Sequence, residues 1–393
     1  MASSHQDATA KPLLWAEIDL AAIARNVGAL RRVTRPEARL LVAVKANAYG
    51  HGAVAVAHTA LAHGASDLGV ARIDEGLALR RAGIEAPILV FGHTPATRAG
   101  ELRAHRLVPS LMDLERARAL CAVVQRASPP LPVHIKVDTG MGRLGLACDD
   151  LRPPGSGSAV EEILAIMALP GLRVTGLFTH FATADHAELD YAELQLRRFV
   201  QLKAQLTAAG CRGLTYHAAN SGAIMSLPDS HLDMVRAGIA VYGLYPSAQV
   251  DRSRLNLRPA LALKATIVHL KQVAAGTPIS YGCTYRVPAA TTIATVPVGY
   301  ADGYHRILSN RGIMLAGGRR VPVVGRVCMD LTMIDVGQVP GLRVGDEVVI
   351  IGRQGDEVIG ADEVAGLAET INYEVVSALT ERVARVYITG SPE

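Results

Sequence analysis

From residue 40 to about residue 245, short apolar runs alternate with longer mixed stretches. The runs LLVAVK (40–45), DLGVAR (67–72), PILVFG (87–92), LVPSL (107–111), VHIKVD (133–138), RVTGLFTH (173–180), LTYHA (214–218) and DMVRAG (233–238) have the length and β-branched content of strands. Between them, segments such as AVAVAHTALAHGA, IDEGLALRRAG, DLERARALCAVVQ and AELQLRRFVQLKAQLTAAG read as helices. Strands separated by helices cannot pair as hairpins, so the alternation implies a parallel sheet with right-handed crossovers. Eight such units predict a closed (β/α)8 TIM-like barrel, an α/β fold.

Beyond residue 245 the texture changes. The strand-like runs ALKATIVHL, TTIATVPVGY, RRVPVVGRVCMDLTMIDV and GDEVVIIG follow one another with little helix between them, apart from a short one near ADEVAGLAETI. That pattern predicts a mainly β C-terminal domain. The expected division is a barrel over residues 1–246 and a β domain over residues 247–393. RPPGSGS (152–158) reads as a loop after the fifth barrel strand.

Composition narrows the function. With 393 residues, 50% of them hydrophobic and 19% charged, the chain has enough apolar material for two packed domains. A net charge of +4, spread along the chain with 4% aromatic residues, gives no nucleic-acid footprint. The five cysteines (Cys121, Cys148, Cys211, Cys283, Cys328) are odd in number and show no CxxC spacing, so neither a disulfide framework nor a metal site is expected. MASSHQDATAKPLL lacks the basic-then-apolar form of a secretory signal, and no apolar run reaches membrane-spanning length. A cytoplasmic protein with no membrane partner is the expectation.

Barrel chemistry gathers at the C-terminal ends of the strands. Lys45 closes the first strand, Lys136 lies in the fifth and Arg143 follows it in DTGMGRLG. His180 closes the sixth, Asn220 and Ser221 follow the seventh in HAANS, and Arg236 ends the eighth just before Gly238 and Ile239. Loops after strands seven and eight are a recurrent phosphate position, and Ser221, Gly238 and Ile239 offer a hydroxyl and backbone N–H groups there. A lysine facing a phosphate cradle points to an aldehyde cofactor held as a Schiff base, for which pyridoxal phosphate is the candidate.

VKANAYGHG, DTGMGRLG, THFATAD, HAANS, VRAGIAVYG, SYGCTY, GYADGY, GRVCMD and TINYEV stand in the order found in alanine racemases, and the chain resembles that family from about residue 14 to about residue 388. The resemblance implies a pyridoxal-phosphate barrel with a β domain, working as a head-to-tail homodimer on a small amino acid. It assigns Lys45 as cofactor lysine and one catalytic base, and Tyr281 in SYGCTY as the second base, reaching the partner subunit's site. A free tyrosine is a poor base at neutral pH, and His180 and Arg236 are expected to favour its phenolate by charge. Arg236 matches the arginine facing the cofactor ring nitrogen. Arg143 matches that near the phenolic oxygen and substrate carboxylate, and Lys136 a lysine often carbamylated beside it. Tyr49 and Tyr373 match phosphate-contacting tyrosines, with Ser221, Gly238 and Ile239. Met329 matches a residue whose N–H meets the substrate carboxylate, and Tyr300 one lining the entrance corridor. Leu331 and Ala384 depart from the usual residues, away from this chemistry.

Each residue also has a plainer reading. A lysine ending a strand is commonly a snorkelling surface group, and Tyr281 alone would be half-buried sheet packing. Lys136 and Asp138 alone read as partners for other strands, and Ser221 and Gly238 as cap and turn. The functional expectation is L-/D-alanine interconversion supplying D-alanine for peptidoglycan. The alternatives are a racemase of broader range acting on serine or basic amino acids, and a non-catalytic pyridoxal-phosphate-binding protein. A decarboxylase of similar architecture would usually face the ring nitrogen with a carboxylate, not with Arg236.

Overall fold

The computed structural model of this chain describes residues 12–389. All eight expected barrel strands form: Arg39–Ala43, Asp67–Val70, Ile88–Val90, Leu107–Leu111, Leu131–Asp138, Leu172–Phe178, Thr215–His217 and Met234–Ala237. Each pairs in parallel with the next from the first to the seventh, and the eighth pairs with the first, as in Leu41↔Asp67 and Arg236↔Leu41. Between the seventh and eighth, Asp233 N–H donates to the Tyr216 carbonyl at 3.0 Å and Arg236 N–H to the Ala219 carbonyl at 2.9 Å. The sheet is thus closed. Leu40, Val42, Ile88, Val90, Val133, Ile135 and Val137 are fully buried, as expected where both faces of a parallel strand are covered.

The surrounding helices show their causes in sequence. Leu20–Val33 turns Ile23, Val27 and Leu30 inward, at helical spacing. Its buried Asn26 donates to the carbonyls of Val241 (3.1 Å) and Arg258 (2.8 Å) and accepts from Arg258 N–H (2.9 Å), so the amide is satisfied rather than stranded. Asp113 caps Leu114–Val124, and a Ser158/Glu161 capping box starts Ala159–Met167 directly after the RPPGSGS loop.

The other unit is mainly β, but its extent differs from expectation. The chain divides into Leu20–Pro259 and a unit that joins residues up to Asp19 with those from Ala260 onward, in place of a single break at 246/247. The cause is the strand Leu14–Asp19, which pairs antiparallel with Leu261–Thr266 (Ala16↔Leu263) and parallel with Ala384–Ile388 (Ala16↔Arg385). Trp15, Ala16 and Ile18 are buried in that sheet, and the Lys264 ammonium bridges Glu17 (2.8 Å) and Glu347 (3.6 Å) across neighbouring strands. The sheet continues through Glu347–Gln354, Ile313–Ala316 and Arg319–Pro322. A three-stranded sheet of His269–Val273, Thr291–Val296 and Thr332–Asp335 packs Ile293 with Ile279, Val287 and Val324. Two short helices, Ala361–Leu367 and Asn372–Ser377, follow.

Candidate active site

In the barrel unit, Val44 N–H still donates to Gly69 O (2.9 Å), which carries the first strand's pairing to its last residue before Lys45. The chain then winds the wrong way. Ala46, Asn47, Ala48 and Tyr49 all have φ between 52° and 54°, a left-handed turn closed by Gly50 N–H on Ala46 O at 3.0 Å. Each non-glycine residue so placed costs about 1–2 kcal/mol, so the surroundings must impose the turn. Asn47 Oδ1 accepts from Ala53 N–H (2.8 Å), and the rings of Tyr49 and His51 pack on buried Tyr242 at 4.8 and 4.5 Å. Tyr242 donates its hydroxyl to Ala43 O (2.7 Å) and so ties the turn to the strand before it. Lys45 Nζ lies 5.9 Å from the Tyr49 ring centre. Burial, then the Arg143 guanidinium, holds this amine below the ordinary lysine range, while Glu75 opposes them.

Arg236, buried at the end of the eighth strand, donates to the carbonyls of Thr179 (2.7 Å) and Ala218 (2.9 Å) and to the rings of His217 (3.0 Å) and His180 (3.2 Å). Because a guanidinium only donates, Nδ1 of each histidine must be the bare, accepting nitrogen. His217 Nε2 therefore carries its proton and donates to His134 Nδ1 at 2.9 Å. Burial, reinforced by Arg236, keeps His180 and His217 well below the usual range, while burial, then Arg39 and Arg236, brings His134 to about 3. His180 is consequently neutral. The charge expected from it for a tyrosine phenolate is absent, and Arg236 alone of that pair carries one.

Lys136 is buried on the fifth strand, with Nζ donating to Val137 O at 2.8 Å. Burial first, then Arg236, lowers it to about 7, with Asp138 opposing. Phe178 lies between the cations, its ring centre 5.4 Å from Lys136 Nζ and 5.4 Å from the Arg236 guanidinium, and it stacks on His217. Asp138 does not pair with Lys136. Its carboxylate accepts from Gly140, Met141 and Gly142 N–H at 2.9–3.0 Å and shapes the loop that presents Arg143. Gly145 (φ 117°) is required there, since a Cβ would lie 2.8 Å from Lys136 O. Arg143 is exposed, yet its field reaches Lys45, Tyr49, Lys136, His180 and Arg236, so these groups share one mouth.

The residues expected at the phosphate position also converge. Ser221 Oγ accepts from Gly238 N–H (2.8 Å) and Ala240 N–H (3.4 Å), on either side of Ile239. A Cβ on Gly238 would stand 2.8 Å from the Tyr49 hydroxyl, so glycine keeps this cradle open. Burial pushes Tyr49 up to about 12, leaving its hydroxyl protonated as a donor. Asn220 is the helix cap, its Oδ1 accepting from Ala223 N–H at 3.0 Å.

In the β unit, Tyr281 is 71% exposed on a tight turn flanked by positive-φ Ser280, Gly282 and Cys283, which is not half-buried sheet packing. Ser280 Oγ donates to Arg326 O (2.6 Å), while Tyr300 N–H donates to Cys328 O (3.1 Å) and Ala301 N–H to Met329 O (3.0 Å). These bonds place Tyr281, Tyr300 and Met329 along one ridge, each with an exposed side chain. Arg382 fastens it through Asp330 (2.7 Å) and Asp302 (3.2 Å). Tyr373 is half-buried in the helix Asn372–Ser377. Sequence reasoning missed His134, His217, Phe178 and Tyr242. His217 opens the motif HAANS and Tyr242 lies inside VRAGIAVYG, but only strand pairing reveals what they touch.

Residues 18–246 match the family described as alanine racemase, N-terminal domain, and residues 260–387 that described as alanine racemase, C-terminal domain. The chain is similar to the alanine racemase of Desulfosudis oleivorans, at 54% identity over 378 residues, 96% of this chain and 97% of that protein. Its structure resembles that of alanine racemase from Clostridium difficile 630, with a TM-score of 0.90 and 38% identity over 97% of both chains. It also resembles that of alanine racemase from Bartonella henselae with covalently bound pyridoxal phosphate, with a TM-score of 0.84 and 27% identity, covering 96% of this chain and 100% of that one.

Proposed function

Because the chain belongs to the alanine racemase family of pyridoxal-phosphate-dependent isomerases, we propose that it interconverts L- and D-alanine through two bases. Lys45 binds the cofactor and works on one face of the substrate; Tyr281 of a partner copy in a homodimer works on the other. The observation that carries this reading is the gathering of Lys45, Arg143, Lys136 and Arg236 at one mouth beside the Gly238 cradle. So much positive charge in a partly dry site is costly unless an anion enters, and a phosphorylated, phenolic aldehyde fits that donor set. When bound, pyridoxal phosphate supplies an aldehyde that links to amines and a ring that draws electrons from the α-carbon.

The residues have separable tasks in this reading. Tyr49 and Ser221 donate hydroxyl hydrogens to the phosphate, beside the backbone of Gly238 and Ile239. The lowered proton affinity of Lys45 gives it a larger neutral fraction, able to attack an aldehyde and later to take an α-proton. Arg236 donates to the ring nitrogen without yielding a proton, and this keeps the ring a modest electron sink that limits transamination. Arg143 orients the phenolic oxygen and the substrate carboxylate, which Met329 N–H of the partner copy also meets. Lys136, at about 7, has the neutral amine needed to add carbon dioxide and lose a proton, giving a carbamate anion that anchors Arg143. The D-alanine formed would serve peptidoglycan synthesis.

The test is to add pyridoxal phosphate to the purified chain, reduce with borohydride and map the label. Label confined to Lys45, with loss of racemisation, is expected. Label elsewhere, or no spectral change on adding cofactor, sinks the reading.

A further inference from the structure

The left-handed turn behind Lys45 is held by a residue from another element. Glu75, half-buried in the first turn of the helix Ile73–Arg81, accepts Ala46 N–H on Oε1 at 2.7 Å. Its Oε2 accepts Ala71 N–H at 2.7 Å and Arg72 N–H at 2.9 Å. A glutamate at this helix position commonly caps its own helix, which accounts for the bond to Arg72. It does not account for Ala46, which lies on the loop after the first barrel strand. Each carboxylate oxygen serves a different strand-end loop.

We propose that Glu75 is a positioning residue for Lys45, latching the left-handed turn to the loop after the second strand and setting a negative charge opposite Arg143. This deepens the reading of Lys45 as the cofactor lysine and rests on it. Around the Lys45 amine stand Arg143, Glu75, the Tyr49 ring and His180. Tyr49 is protonated and His180 neutral at physiological pH, so the local charge is a contest between Arg143 and Glu75. Removing Glu75 therefore lowers the proton affinity of Lys45 further, and a plain helix cap would not do so.

Glu75→Gln and Glu75→Asp together separate the two tasks. Whichever way the amide is turned, its NH2 opposes an N–H of one loop, so one latch fails and the charge is lost with it. Glu75→Asp keeps the charge on a shorter reach. Both are compared with wild type as full-length, cofactor-free protein. Acetic anhydride labelling of Lys45, followed by peptide mass spectrometry across the neutral-to-alkaline range, reads its titration midpoint. Amide hydrogen exchange over residues 44–52 reads the latch. In Glu75→Gln the midpoint falls by roughly one pH unit and exchange accelerates. In Glu75→Asp exchange accelerates while the midpoint stays near wild type. An unchanged midpoint in folded Glu75→Gln overturns the electrostatic role, and unchanged exchange overturns the latch. Should Glu75→Gln not fold, wild-type exchange in Glu75→Asp overturns the proposal and faster exchange supports it. Neither arm uses the cofactor, so failure of borohydride to label wild-type Lys45 counts against the functional reading alone.

Discussion

Burial makes the protonation of Lys136 depend on the fold, which gives it a thermodynamic signature. The unfolded chain keeps this proton up to the ordinary value of 10.5, whereas the folded chain releases it near 7. Between those values the unfolded state binds more protons, so stability rises with pH across that window, and below about 7 the penalty is complete. In buffers purged of carbon dioxide, Lys136→Met should flatten the rise, worth up to a few kcal/mol, in urea unfolding near pH 7 and above pH 9. Bicarbonate should shrink the difference if the carbamate forms, and no effect would count against it. At Tyr281, replacement by Phe should slow proton exchange from one alanine enantiomer far more than from the other, by about 10²-fold or more. Deuterium uptake into each enantiomer checks this, and equal small losses would remove the two-base assignment.

Among the elements, the left-handed turn is the one whose strain is open to measurement. Ala46 is exposed with φ 52°, a position where glycine is unstrained. Ala46→Gly should therefore stabilise the cofactor-free chain by about 1 kcal/mol, against the usual loss for this substitution, as chemical denaturation would show. The turn was not legible in ANAY, because neither alanine nor tyrosine signals a left-handed backbone. Its cause lies in Tyr242 and Glu75, which meet it only after the barrel closes. The barrel strands were legible for the opposite reason. Burial on both faces leaves runs such as LLVAV and VHIKV whose apolar content needs no knowledge of partners. Lys45, Arg236 and Ser221 could be placed on strand ends by counting along the chain. The protonation order from Arg236 through His217 to His134 could not, because it depends on side chains of adjacent strands facing each other. The strand Leu14–Asp19 escaped notice likewise, since its partners begin at Leu261.

For the whole molecule, the ridge bearing Tyr281, Tyr300 and Met329 exposes apolar side chains that suit a partner surface. If each site takes Lys45 from one chain and Tyr281 from another, two inactive variants can rescue each other. Mixed and reassociated, Lys45→Ala and Tyr281→Phe chains should regain activity up to roughly a quarter of wild type, because half the dimers are mixed and each holds one intact site. Mixtures no better than their components would show that each chain completes its own site.

The strand Leu14–Asp19 also sets an order in time. It is made before any part of the barrel, yet the strands flanking it, Leu261–Thr266 and Ala384–Ile388, are made after the barrel is finished. On the ribosome, Trp15 and Ile18 must wait unpaired while Leu20–Pro259 is synthesised and free to fold. The nascent chain therefore carries this strand without its native partners through most of its synthesis, and the sheet is complete only once Ala384–Ile388 has been made and pairs with it.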